Sequence, residues 1–156
     1  MGVSIQTITL HVGWGTFRPV RAETVEEHRM LPESYSVSRS TADALNEARR
    51  EGRRLIAVGT TVVRTLETVC DATGTFHEGQ GESALFIYPG YRFKGIDALI
   101  TNFHLPDSTP ILLASAFYGQ DNASKPTPPF TLRAPYEEAI REGYRFYSYG
   151  DAMFIQ

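Results

Sequence analysis

The chain of 156 residues holds a single cysteine, Cys70. A lone thiol excludes an internal disulfide framework and a cysteine-built zinc site, and it fits a reducing compartment. No apolar run approaches the roughly 18 residues that a membrane-crossing helix needs, and no charged-then-apolar leader opens the chain. A cytoplasmic location and no membrane partner are therefore expected. Basic charge is also scarce: Lys plus Arg total 15 against 18 Asp plus Glu, a formal net charge of −3. That balance excludes coating nucleic acid by bulk charge and leaves only a local basic patch open. No phosphate-loop lysine motif occurs, and His11-Val12-Gly13-Trp14-Gly15-Thr16 lacks the third glycine and the helix of a dinucleotide fingerprint. Internal repeats and low-complexity tracts are missing too.

An apolar fraction of 42% and a charged fraction of 21% are those of a folded globular chain. Residues 1–156 are expected to form one α/β domain, long enough to hide about 70% of its unfolded surface. Alternation over Ile5–Val12 predicts a first strand. A helix is predicted from Thr41 to Glu51, capped by Ser40 or Thr41 and ended by Gly52. The run 54–58 predicts a buried strand leading into a helix over 62–71. Further strands are predicted over 83–88 and 96–101. Asp107-Ser108-Thr109-Pro110 then starts a helix over 111–117 that is apolar all round and hence buried. Residues 121–135 hold four of the nine prolines and read as a loop or insertion. Tyr136, Ala139, Ile140, Gly143 and Tyr144 mark one face of a last helix, and an aromatic, strand-like segment runs to Ile155. Strands alternating with helices give a layered mixed sheet flanked by helices.

Four segments are able to carry chemistry. Val58-Gly59-Thr60-Thr61 ends a strand and opens a helix, where free N–H groups hold an anion or a threonine merely caps the helix. Arg64 and Glu67, one turn on, are either a surface pair or a polar lining. Gly13, Gly15 and Thr16 form a turn that admits close backbone approach, with His11 on the strand before it. Thr101-Asn102-Phe103-His104 lies at a strand's carboxyl end, where α/β sheets bind ligands, and His104 is a candidate base. Tyr144 to Asp151 sets Arg145, Tyr149 and Asp151 among aromatics able to stack on a purine or face a sulfonium. Arg49, Arg50, Arg53 and Arg54 cluster at a helix end, either as a solvated group or as a phosphate-contacting surface.

The wording of these segments goes further than their spacing. Residues 9–20, from Thr9-Leu10-His11-Val12-Gly13 to Arg18-Pro19-Val20, together with Val58-Gly59-Thr60-Thr61-Val62-Val63-Arg64, Phe86-Ile87-Tyr88-Pro89-Gly90, Leu99-Ile100-Thr101-Asn102-Phe103-His104-Leu105-Pro106 and Tyr144-Arg145-Phe146-Tyr147-Ser148-Tyr149-Gly150-Asp151-Ala152-Met153, resemble the S-adenosylmethionine:tRNA ribosyltransferase-isomerases of queuosine biosynthesis. The resemblance covers nearly the whole chain, in order. It implies that the ribosyl moiety of S-adenosylmethionine is moved to 7-aminomethyl-7-deazaguanine at the wobble position of tRNA. The products would be epoxyqueuosine-tRNA, adenine and methionine, with no metal and no bound cofactor. S-adenosylmethionine and tRNA would be the partners, and a monomer is expected.

The chain departs from the family's pattern at Trp14, at Val62 and in Met30-Leu31-Pro32-Glu33. It resembles only the C-terminal part of the family's main domain, without the N-terminal segment or the separate β-barrel domain, so weak or no turnover is expected from it alone. A non-catalytic tRNA- or nucleotide-binding module is the alternative. The chemistry implied needs a base to take a proton from the carbon beside the sulfonium. Of the four histidines, His104 is preferred over His11, because strand alternation points Asn102 and His104 the same way. Asp151 and Glu67 qualify if burial raises their pKa values.

Overall fold

Two small sheets and four helices make up the computed structural model, which describes residues 2–14, 19–120 and 132–156. The first sheet is antiparallel, with β1 (Thr9–His11), β2 (Glu33–Val37) and β4 (Gly79–Ser83) in the order β1-β2-β4. The second is mixed: β3 (Ile56–Val58) runs parallel to β5 (Ala98–Asn102), which pairs antiparallel with β6 (Ala152–Ile155). The expected mixed α/β layering is present, divided between two sheets instead of one.

The helices are α1 (Arg39–Arg50), α2 (Thr60–Val69), α3 (Thr109–Gly119) and α4 (Arg133–Arg141). α1 starts two residues earlier than predicted because Ser38, not Ser40 or Thr41, accepts the Thr41 amide at 3.1 Å. Gly52 ends it at φ +69, as the sequence predicts. α2 also starts early. Its N-cap is Gly59, at φ +97 and ψ +141, and no side chain caps it, so neither Thr60 nor Thr61 plays that part. α3 is buried on every side, as its uniform apolarity predicts. α2 packs on β3 and β5 at the inner face of the mixed sheet and α3 packs against α2; Ala57, Leu99, Val63, Leu113, Phe117 and Ile155 form part of the core.

Several predicted elements shrink or move. Of Ile5–Val12, only Thr9–His11 pairs, opposite Ser36 to Ser34 of β2. Residues 84–88 leave the predicted strand: the Arg64 guanidinium takes the carbonyls of Ser83 and Leu85, and the Ser83 hydroxyl takes the Leu85 amide. Of the expected loop 121–135, residues 121–131 lie outside the described residues, whereas Arg133–Pro135 open α4. Ile140 is exposed on α4, contrary to its predicted face, while Ala139 is buried. Residues 145–151 form a tight loop instead of a strand, closed by Arg145 N–H to Asp151 Oδ2 at 2.8 Å and Asp151 N–H to the Arg145 carbonyl at 2.8 Å.

Candidate functional site

The parallel pairing of β3 and β5 brings their carboxyl ends side by side, and the Gly59 amide donates to the Ile100 carbonyl at 2.8 Å. The turn into α2 and the Thr101–His104 segment therefore lie at one end of the sheet, where α/β folds bind ligands. Thr60, Arg64, Thr109 and Pro110 line a cleft there with Met30 and Phe86, so the N-termini of α2 and α3 open onto common ground. The cleft holds about 10 Å³, room for a single water.

Arg64 does not reach solvent. It is 6% exposed and donates from Nη1 to Glu33 Oε2 at 2.7 Å, so the expectation of an arginine holding a substrate anion gives way to a buried ion pair. Burial pulls its pKa down, and the Glu33 carboxylate opposes that shift. Glu33 Oε1 accepts the Gly13 amide at 2.8 Å, which ties the glycine turn after β1 to α2. Gly15 and Thr16 lie outside the described residues. Glu33 carries no periodicity or spacing signal in the sequence. Its one visible signal was its place in Met30-Leu31-Pro32-Glu33, an acid inside an otherwise apolar entry to β2.

Glu67, one turn from Arg64, belongs to a different environment. It accepts from Tyr91 Oη at 3.1 Å, Lys94 N–H at 3.1 Å and Gly95 N–H at 2.7 Å, and so anchors the 91–95 loop. It neither pairs with Arg64 nor lines the cleft.

Asn102 and His104 do not meet as strand alternation predicted, because β5 ends at Asn102. Asn102 Nδ2 donates to the Asp151 carbonyl at 3.2 Å, while His104 Nε2 bonds Thr101 Oγ1 at 2.8 Å. The His104 amide donates to Tyr136 Oη at 2.9 Å. Burial pushes the His104 pKa down to about 4, so the ring is neutral near pH 7 but only weakly basic. His11 is exposed at the end of β1. Phe103 packs against Tyr136, Tyr144 and Phe146 with centroids 5.0–5.8 Å apart, which binds the fourth segment to the third. Tyr149 is 98% exposed. Arg145 pairs with Asp151 at 3.0 Å and holds that carboxyl below the usual range, so burial does not raise Asp151 toward a base.

A family model described as queuosine biosynthesis protein matches residues 1–155. The chain belongs to that family. It is 56% identical over 154 residues to the S-adenosylmethionine:tRNA ribosyltransferase-isomerase of Geobacter sulfurreducens, covering 99% of this chain and 42% of that protein. The corresponding protein of Moorella thermoacetica is 55% identical over the same shares. The crystal structure of the Thermotoga maritima S-adenosylmethionine tRNA ribosyltransferase superposes with a TM-score of 0.69 at 42% identity, over 96% of this chain and 44% of that one. The chain thus spans less than half the length of these relatives.

Within this family member, the four arginines near the end of α1 divide: Arg49 is drawn against the fold, while Arg50, Arg53 and Arg54 stay exposed in surface contacts. Arg49 donates to the carbonyls of Gly74 and Lys94 and lies over the Phe76 ring. Arg50 pairs with Glu47, Arg53 with Glu51, and Arg54 bonds Gln156. Among the described residues, no group of three His, Cys, Asp or Glu is arranged to hold a metal ion, and no helix is long and apolar enough to cross a membrane.

Proposed function

We propose that this chain supplies part of the site that transfers the ribosyl moiety of S-adenosylmethionine to 7-aminomethyl-7-deazaguanine at the tRNA wobble position, giving epoxyqueuosine-tRNA, adenine and methionine. The match of the family model over residues 1–155 carries the reading, backed by relatives named for this activity. The geometry supports it by joining the Gly13 turn, the start of α2 and the end of β5 through the Gly13–Glu33–Arg64 and Gly59–Ile100 contacts.

In this reading the sulfonium acidifies the adjoining ribose carbon, a base removes that proton, and adenine leaves. No metal or resident cofactor enters the chemistry. The low basicity of the buried His104 suits it to holding the β5 end in place, and exposed His11 beside Gly13 takes the base role. The aromatic loop 144–151, with Tyr149 in solvent, offers a stacking surface for adenine or a tRNA base. The cleft at Thr60 and Thr109 is too small for S-adenosylmethionine, so the substrates lie on its open side, in contact also with parts of the family polypeptide outside this chain. The chain acts as a monomer in the cytoplasm.

The test is adenine release from S-adenosylmethionine by a full-length family polypeptide carrying this chain, with and without acceptor tRNA. Release that requires tRNA is expected, and the 156-residue chain alone should release little. Saturable tRNA binding with no release in the full-length context would replace this reading with a non-catalytic binding module.

A further inference from the structure

We propose that the open face of the β3-β5-β6 sheet is the docking surface for an apolar helix supplied by the part of the family polypeptide that this chain does not span. The inference rests on the family match and the sheet, not on the proposed chemistry.

The register defines the face. Val58 pairs with Ile100, and Ile100 with Phe154, so these three side chains form one row across all three strands. Ile56, two residues before Val58, projects to the same side. The opposite side carries Ala57, Leu99 and Ile155, which are buried in the core against the helices. On the outer side, Ile56 is 47% exposed, Val58 64% and Phe154 49%. Such an alignment of branched side chains on the parallel pair, continued by Phe154 on the antiparallel β6, is unlike a solvated sheet face. Parallel strands read as continuous apolar runs because helices cover both of their faces. Leu55-Ile56-Ala57-Val58 and Ala98-Leu99-Ile100 are such runs, yet among the described residues the outer face stays exposed at Ile56, Val58 and Phe154, with Ala98 buried beside Ile56 and Ile100 half-buried in the middle. Contiguous exposed apolar surface of this kind marks an interface.

The length of the relatives identifies the occupant. This chain covers 42% of the Geobacter sulfurreducens protein and 44% of the Thermotoga maritima chain, so more than half of the family polypeptide is available to supply the second layer. Arg54, whose guanidinium lies over the Phe154 ring 5.9 Å from its centroid, puts a positive charge at the rim. A helix with an apolar stripe and an acidic residue at its edge fits this surface.

The experiment places a cysteine on the face and reads its reactivity with a maleimide, because the native Cys70 is buried and adds little background. Val58→Cys is made in the 156-residue chain and in a full-length polypeptide in which this chain replaces the matched segment of the Geobacter sulfurreducens relative. Asp43→Cys, on the exposed side of α1, serves as the accessibility control. The expected result is rapid labelling of Val58→Cys in the short chain and roughly tenfold or greater protection in the long one, with the control less affected. Equal labelling of Val58→Cys in both overturns the proposal. Protection already present in the short chain also overturns it: sedimentation as a dimer would make a second copy the occupant, and sedimentation as a monomer would make it another segment of this chain. Ile56→Cys repeats the reading if Val58→Cys fails to fold.

Discussion

Replacing Arg64 by Met separates a structural arginine from a substrate-binding one. The guanidinium is 6% exposed, and its bonds include those to Glu33 Oε2 at 2.7 Å, to the Leu85 carbonyl at 3.1 Å and to the Ser83 carbonyl at 3.2 Å. Met keeps the apolar stem but leaves the Glu33 carboxylate without the guanidinium in a site where Glu33 itself is 6% exposed. Breaking one side of a buried ion pair costs about 3–5 kcal/mol, against a domain stability of about 5–15 kcal/mol. At about 2–4 °C per kcal/mol for this chain length, Tm should fall by about 6–20 °C. Urea unfolding followed by circular dichroism should show a lower midpoint with an unchanged slope. Adding Glu33→Leu should recover much of the loss, since no charge is then buried alone. A cost below about 1 kcal/mol, the range of exposed pairs, would refute the buried-pair account. Unchanged stability with lost substrate affinity would restore the anion-binding reading.

His104 makes a pH-dependent contribution. Its folded pKa of about 4 lies below the ordinary 6.5, so the stability tied to the neutral ring is present above pH 6.5 and lost as pH falls toward 4. The loss amounts to at most ~3 kcal/mol, and His104→Gln should flatten that part of the urea-midpoint profile; an unaltered profile would mean the ring titrates normally. Gly150→Ala should destabilise by about 1–3 kcal/mol, because a Cβ at that position overlaps the carbonyl oxygens of Arg145 and Phe146. A variant that unfolds at the wild-type urea midpoint would show that the 145–151 loop yields freely.

What the sequence disclosed was governed by how local the deciding interactions are. α3 was legible because an apolar surface on every side leaves only burial as a solution, and Gly52 marked the end of α1 by its own backbone freedom. The strand predicted over 83–88 failed for the opposite reason. Its backbone groups are claimed by Arg64, a side chain about twenty residues away, and no periodicity records such a partner. The same contact hid Glu33, which looks like a surface acid until Arg64 and Gly13 fold onto it. A run of like charges such as the arginine cluster carries no information about reach. Arg49 spans to Gly74 and Lys94, whereas Arg50 and Arg53 pair with acids on or next to α1 and Arg54 bonds Gln156. At the candidate site, the Gly59 turn and the Thr101–His104 segment were correctly placed at one sheet end by parallel pairing. The Asn102–His104 alignment failed because it required β5 to continue two residues beyond its last partner, Ala152.

The hydrogen bond from the His104 amide to the Tyr136 hydroxyl has a consequence for the timing of synthesis. The loop that follows β5 is held by a side chain 32 residues further along the chain. At about 5–20 residues per second, a ribosome needs roughly 2–6 s to add that stretch, so the end of β5 is made well before the side chain that secures it. During that interval Phe103 also lacks its ring partners Tyr136, Tyr144 and Phe146. The nascent chain therefore carries an unfinished apolar corner, which closes only when α4 and the Tyr144–Phe146 segment after it emerge.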